Sequence, residues 1–294
     1  MQQQQLNPSL LPWTRNVSEH HLGSAQTEQA PFSVSGTLRR SLDSMPPAHA
    51  GSQIFYAVAS PAQVQLATQK FGGPEKILGA EAARAGDFAH QEDREAFIGA
   101  RTLLRLLLSY VTYGELSQAS AVDISRHCIS CNSSDHGKPT TSQHAISSSR
   151  TRELVIAAVG PKDLRLGTDI ERGTPLSPPG IFPGFDQLTL TSGELKLVHR
   201  DKNPDDIRLL AWTAKEALLK ADGAGLRRDP STVRVLSTSV LRAARRNKWA
   251  SPRHLAGYSL RRLPVPSTHV AALAASKPLP IQELSTEIFK AALS

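Results

Sequence analysis

The sequence predicts a fold that contains both β-strands and α-helices. Two apolar runs, 154–159 and 164–170, have the length of strands, and residues 160–163 between them have the composition of a turn, so we expect a hairpin. Residues 207–221 lack Gly and Pro and are rich in Leu, Ala, Lys and Glu, which predicts a helix that ends near Gly223. A strand at 54–59 and a helix over about 92–111 are expected earlier in the chain.

Length and composition limit the classes of protein to consider. With 294 residues, 39% of them hydrophobic, the chain can form one large core or two smaller ones. No apolar run approaches the length of about 20 residues that a membrane span needs. Residues 1–50 are polar and rich in Gln, Ser and Pro, which is typical of a flexible tail, and their start lacks the features of a secretory signal.

Three carboxylates are candidate ligands of a divalent metal. Asp169 and Glu171 are two apart in a predicted strand, so their side chains should point to the same face. Trp212, Glu216 and Lys220 follow at intervals of four along the predicted helix and should line one face. A few carboxylates, with room left for phosphate oxygens, suit magnesium better than calcium. A solvated charged surface is the alternative for each motif taken alone.

Together these motifs resemble a known family. Gly167-Thr168-Asp169-Ile170-Glu171, followed by Trp212-Thr213-Ala214-Lys215-Glu216-Ala217-Leu218-Leu219-Lys220 and Gly223-Ala224-Gly225-Leu226, is similar to the signature of the larger, Sfp-like 4'-phosphopantetheinyl transferases. Weaker similarities are a Gly137-Lys138-Pro139 segment, an arginine-bearing helix around 94–108, the stretch Thr191-Ser192-Gly193-Glu194, and closing strands near 257–260 and 270–274.

The resemblance implies an α+β pseudodimer of two similar halves, each an antiparallel sheet packed with a long helix. We expect the first half at 51–161 and the second, which carries both signature motifs, at 162–294. The implied reaction is transfer of the phosphopantetheine arm of coenzyme A to a serine of an apo acyl or peptidyl carrier protein, which releases adenosine 3',5'-bisphosphate. A cytoplasmic, monomeric enzyme is expected.

The resemblance also implies roles for individual residues. Asp169, Glu171 and Glu216 would bind Mg²⁺, and Lys220 would act on the leaving group. Glu216 would be the general base, directly or through a water, with a metal-activated water as the alternative base. Residues expected to bind coenzyme A are Lys138, Ser149, Arg150, Lys215, Lys220, Arg84, Arg94 and Arg101. In one departure, Arg150 stands where the family usually has a histidine that contacts coenzyme A phosphate. An arginine can still bind phosphate, with a permanent charge.

Three alternatives stay open. Arg150, with Glu153 where the family often has glycine, would also suit a relative that binds coenzyme A or a carrier without turnover. The net charge of +8 and the cluster of Arg242, Arg245, Arg246 and Lys248 would suit a nucleic-acid binder or a docking site for an acidic carrier, although aromatic residues are only 5%. Cys128 and Cys131 have the spacing of a zinc or redox pair, but no second pair exists, so ordinary reduced cysteines are expected.

Overall fold

The computed structural model describes residues 52–127, 133–134, 137–173, 181–223, 225–255 and 257–293. The predicted tail and the pair Cys128 and Cys131 lie outside these residues. Within them, no helix has both the length and the apolar character needed to cross a membrane.

The strands β1 to β9 are Ile54–Ala59, Ser125–His127, Lys138–Thr140, His144–Arg150, Val155–Pro161, Leu166–Arg172, Ser259–Leu263, His269–Ala275 and Ile281–Glu283. The helices α1 to α8 are Pro61–Thr68, Gly73–Leu78, Gln91–Tyr113, Phe185–Thr189, Ser192–Val198, Pro204–Asp222, Thr238–Ala244 and Ser285–Leu293. A 3₁₀ helix, Gly79–Asp87, precedes α3. The fold is therefore α+β.

Two sheets are stacked between two long helices. The first sheet has the order β4-β5-β1-β9 and the second has the order β6-β8-β7, while β2 and β3 form a separate ribbon. All pairs are antiparallel except β1 with β9, which is parallel. Helix α3 packs on the outer face of the first sheet, and α6 packs on the outer face of the second.

Strand β5 shows why these layers form. Its residues Val155 to Gly160 are all buried, and they alternate between two cores. Val155, Ala157 and Val159 face α3, while Ile156 and Ala158 face the second sheet. Because side chains alternate along a strand, a continuous apolar run can cover both faces of a fully enclosed strand.

Several sequence expectations are confirmed, and one is wrong. The strand at 54–59 forms with the predicted bounds, and both long helices form where predicted, each end being one to three residues longer. The strands on either side of residues 160–163 also form, but they are not a hairpin. The first pairs with β1 and β4 and the second with β8, because the turn carries the chain from one sheet to the other.

The C-terminal segment returns to the first sheet. Strand β9 pairs with β1, and Leu284, Ile288 and Ala292 are buried in the core beside α3. The predicted second half, 162–294, therefore includes a segment that packs on the first sheet. The division of the chain into halves otherwise stays a prediction.

Candidate active site

A glycine brings strand β6 against helix α6. A methyl group at Gly167 would lie 2.0 Å from the carbonyl oxygen of Ala217 and 2.4 Å from the amide nitrogen of Ala221. Only a residue without a side chain allows this approach of the two backbones. The glycine of the Gly-x-Asp-x-Glu motif thus sets the distance between the strand that carries two carboxylates and the helix that carries the third.

The side chains of both motifs meet as their periodicities predict. On β6, Asp169 and Glu171 point toward α6. The Lys220 ammonium donates to Asp169 Oδ1 at 2.6 Å, and the Trp212 indole donates to Glu171 Oε1 at 2.8 Å. The face of α6 that carries Trp212, Glu216 and Lys220 therefore faces the strand motif.

Strand β4 contributes the third side of this site. Ser149 Oγ donates to Asp169 Oδ1 at 2.7 Å and accepts from Lys220 Nζ at 2.9 Å. Earlier in β4, Ser147 Oγ accepts from the backbone amide of Thr168 at 2.9 Å. These bonds join an edge strand of the first sheet to an edge strand of the second, so the site lies where the two sheets meet.

Two carboxylate oxygens in the site have no partner. Asp169 Oδ2 and Glu216 Oε1 are buried and accept no hydrogen bond from any described residue. Leaving a buried charged acceptor unpaired is costly, so such atoms need an explanation such as an ion or a substrate group. Oxygen ligands of this kind suit Mg²⁺. Among the described residues, no three His, Cys, Asp or Glu side chains are grouped so that they could hold a metal ion.

The electrostatics of the site favour binding of a cation. Burial and then the nearby Asp169 raise the pKa of Glu216 to about 7, and the same causes raise the pKa of Glu171 to about 8 against the effect of the Trp212 bond. Burial alone would lower the pKa of Lys220, but Asp169, Glu216 and Glu171 together raise it above its ordinary value. Three carboxyl groups share one ammonium here, and an added cation would favour their ionised forms.

The prediction that Lys215 binds coenzyme A is wrong. Its side chain is fully buried on a different side of α6, and its ammonium donates to Glu194 Oε2 at 2.6 Å. The remaining donors reach the carbonyl oxygens of Thr189 at 2.5 Å and Pro230 at 3.0 Å. An ammonium has three donors, so Lys215 has none left for a ligand.

Glu194 is the buried partner that sequence reasoning did not assign to Lys215. Glu194 closes the capping box at the start of α5, where its Oε2 accepts from the amide and hydroxyl of Thr191 at 3.0 Å each. Its Oε1 accepts from the amides of Val235 and Leu236 at 2.7 and 2.9 Å. The pair therefore ties α5, α6 and the 230–236 segment together.

Three of the predicted coenzyme A residues surround one aromatic ring. The guanidinium carbons of Arg101, Arg84 and Arg150 lie 5.1, 5.9 and 6.0 Å from the centre of the Phe97 ring. Arg150 also lies 4.8 Å from the centre of the Phe88 ring. Guanidinium groups beside aromatic rings combine a permanent positive charge with a flat stacking face, so this is a surface suited to an anionic, partly aromatic ligand.

Glu81 organises the arginines on the other side of this cluster. Its carboxylate pairs with Arg101 at 2.8 Å, Arg105 at 3.2 Å and Arg126 at 3.3 Å, and all four side chains are largely buried. Three guanidinium groups around one carboxylate leave an excess of positive charge. Nothing in the local sequence around Glu81 signals this role, since its partners belong to α3 and β2.

The remaining predicted residues lie at different places. Lys138 donates to the carbonyl oxygen of Ala221 at 2.8 Å. Ala221 lies near the end of α6 and directly follows Lys220. Arg94 is exposed and donates to the carbonyl oxygens of Phe88 and Ala89 at 2.7 and 3.4 Å, which holds the turn before α3. Lys138 thus contacts the C-terminal end of α6, while the contacts of Arg94 are those of a structural residue.

A family match covers the segment of the chain that carries the three carboxylates of the site. The sequence model of the 4'-phosphopantetheinyl transferase superfamily matches residues 165–274. This range includes β6, α6, β7, all but the last residue of β8, and all three candidate metal-binding carboxylates. No curated protein matches the chain. The segment that builds the carboxylate site is therefore similar in sequence to the 4'-phosphopantetheinyl transferase superfamily.

Proposed function

We propose that this protein transfers the 4'-phosphopantetheine arm of coenzyme A to a serine hydroxyl of an apo acyl or peptidyl carrier protein. The observation that carries the proposal is the pair of unpartnered, buried oxygens of Asp169 and Glu216 beside the Lys220 ammonium, within the segment that matches the superfamily. Phosphoryl transfer depends mainly on positioning and charge neutralisation, and this site supplies groups for both.

Glu216 is the proposed general base. Its Oε1 is buried and has no hydrogen-bond partner among the described residues, so it is available to accept a proton. The serine oxygen would form a bond to the phosphorus next to the pantetheine arm, and its proton would pass to Glu216. The bond from that phosphorus to the bridging oxygen would break, and adenosine 3',5'-bisphosphate would leave.

Lys220 is the proposed electrostatic partner of the leaving group. Its raised pKa means that it keeps its proton at neutral pH, which supports charge neutralisation by a fixed cation over proton donation. Ser149 holds the ammonium from the side of β4. The same hydrogen bond restricts the position of Lys220 before the substrate arrives.

Mg²⁺ is proposed as the metal of this site, bound by Asp169, Glu171 and Glu216. When bound, the ion would neutralise charge on the pyrophosphate oxygens. The Trp212 indole, which donates to Glu171, orients one carboxylate and leaves its other oxygen for the ion. Indirect partners of this kind restrict metal ligands to one orientation.

The arginines around Phe97 are the proposed site for the adenosine phosphates. Arg84, Arg101 and Arg150 present cationic groups on aromatic faces, and Lys138 lies toward the end of α6 that carries Lys220. We further propose the larger, Sfp-like type with two related halves, at 51–161 and 162–294, acting as a cytoplasmic monomer.

Chromatographic detection of adenosine 3',5'-bisphosphate tests the reaction. We expect its release to require coenzyme A, Mg²⁺ and an apo carrier, and to fall to background with Asp169→Asn. Coenzyme A binding without release, across fatty-acid, polyketide and nonribosomal-peptide carriers, would replace the proposal with that of a non-catalytic relative.

A further inference from the structure

Arg150, which directly follows Ser149 of the carboxylate site, lies over two neighbouring phenylalanine rings. Its guanidinium carbon is 4.8 Å from the centre of the Phe88 ring and 6.0 Å from that of the Phe97 ring. The two ring centres are 5.3 Å apart, with the ring planes tilted by 39°. Phe97 is buried within α3, whereas Phe88 is half-buried and precedes that helix. Phe88 is therefore the nearer and the more exposed of the two rings.

The backbone that carries Phe88 is held on both sides by hydrogen bonds. Its amide donates to the carbonyl oxygen of Ala85 at 3.3 Å, at the end of the 3₁₀ helix. Its carbonyl oxygen accepts from Arg94 Nε at 2.7 Å, and the carbonyl oxygen of Ala89 accepts from Arg94 Nη2 at 3.4 Å. The Phe88 ring thus projects from a turn that is already ordered, so ligand binding does not have to order that backbone.

The charge of Arg150 has no direct carboxylate partner. Its Nη1 donates to the backbone carbonyl oxygen of Asp93 at 3.5 Å, while both carboxylate oxygens of Asp93 accept from Arg152 at 2.9 Å each. Within the described part of the chain, Arg150 forms no ion pair. Because removing an unpaired charge from water is costly, a half-buried cation of this kind favours an anionic ligand.

The rings hold this cation without neutralising it. A free arginine side chain has many rotamers, and binding a phosphate with it carries the entropic cost of selecting one of them. Attraction between a guanidinium and an aromatic face restricts the side chain in advance, and a ring has no net charge. A carboxylate would also restrict Arg150, but it would compete with the phosphate for the same charge. The aromatic contact therefore suits an arginine that must stay available to an anion.

We propose that Phe88 is a positioning residue that holds Arg150 for a phosphate group of coenzyme A. This inference rests on the proposed function, because it takes the anion from coenzyme A. Arg94, which the sequence predicted as a direct ligand, contributes through the turn that it holds and not by contact with the substrate. Arg152 contributes by occupying the Asp93 carboxylate, which would otherwise be a partner for Arg150.

Removal of the Phe88 ring, with a matched control, tests the proposal. The test variant is Phe88→Leu, and Phe88→Tyr is the conservative variant that keeps the ring. The control is Phe71→Leu, at another half-buried ring, which lies beside Lys70 and packs on the core next to α3. The first measurement is the calorimetric Kd for coenzyme A, repeated with Phe88→Leu in an Arg150→Met background. The second is the rate at which phenylglyoxal modifies Arg150, read from peptide masses, and it needs no ligand.

We expect Phe88→Leu to raise the Kd for coenzyme A by roughly three- to tenfold, since binding must then order a side chain that the ring no longer holds. Phe88→Tyr and Phe71→Leu should stay within about twofold of the unaltered protein. In the Arg150→Met background, Phe88→Leu should have no further effect, because the two side chains act as a unit. Phenylglyoxal should modify Arg150 faster in Phe88→Leu and Arg152 at an unchanged rate.

An unchanged Kd in Phe88→Leu, or an equal increase in the Arg150→Met background, would overturn the positioning role and leave the transferase proposal intact. Equal rates of Arg150 modification with and without the ring would likewise overturn it. Faster modification of Arg150 in Phe88→Leu, together with no coenzyme A binding by the unaltered protein, would support the contact between the two side chains. That result would refute coenzyme A as the ligand, and with it the proposed function.

Discussion

Replacement of Lys215 by methionine tests whether this residue stabilises the fold through its buried pair with Glu194 or binds coenzyme A. Its ammonium and the Glu194 carboxylate are both fully buried and lie 2.6 Å apart. The methionine would leave the Glu194 charge buried without its cation, although four amide and hydroxyl bonds to it would remain. Breaking a buried pair in this way costs about 3–5 kcal/mol.

That loss is large against the total stability of a domain, about 5–15 kcal/mol. We expect the urea midpoint of unfolding to fall substantially with Lys215→Met, and the double variant Lys215→Met with Glu194→Gln to lose less than the sum of the single variants. Lys196→Met, at an exposed position of α5, is the control and should change stability by no more than about 0.5 kcal/mol.

The same pair predicts an effect of pH. Burial alone would raise the pKa of Glu194, but Lys215 and the backbone donors hold it below its ordinary value. The stabilisation is therefore present above the unfolded pKa of about 4.3 and is lost as the pH falls through the lower, folded pKa. Glu194→Gln should remove this part of the acid sensitivity. If Lys215→Met matched the control in stability and instead raised the KM for coenzyme A, the buried pair would be refuted as its role.

Three further predictions concern the site itself. Gly167→Ala should destabilise the protein by about 2 kcal/mol or more, because its methyl group would overlap the Ala217 carbonyl; an unchanged urea midpoint would contradict this. Trp212→Phe removes the bond to Glu171 and should cost about 1 kcal/mol and raise the Mg²⁺ concentration for half-activation, and an unaltered Mg²⁺ titration would argue against that orienting role. Arg150→His should make the KM for coenzyme A depend on pH between about 6 and 8, since histidine titrates there; parallel pH profiles would exclude a phosphate contact at this position.

Local periodicity was sufficient to predict the core of the candidate site. Asp169 and Glu171 share a face because residues two apart in a strand do, and Trp212, Glu216 and Lys220 share one because residues four apart in a helix do. The structure confirms both alignments and brings the two faces together. The two long helices, α3 and α6, were also predicted at the correct positions in the sequence.

Contacts between elements that are distant in the sequence could not be predicted from local patterns. Helical periodicity places Lys215 away from the face of Glu216, but its burial depends on Glu194, which belongs to another helix. In the same way, Glu81 meets arginines of α3 and β2 only through the packing of three elements. The hairpin at 160–163 was wrong because a turn composition does not reveal whether the two strands share a sheet.

The intact mass of an apo carrier protein, after incubation with this protein, coenzyme A and Mg²⁺, shows whether a phosphopantetheine arm is transferred. We expect a mass gain of one phosphopantetheine arm, which is absent when the serine of the carrier is replaced by alanine and absent with Glu216→Ala. An equal gain with Glu216→Ala would contradict the assigned role of Glu216. No gain on any acyl or peptidyl carrier, from folded protein that binds coenzyme A, would contradict the transferase itself.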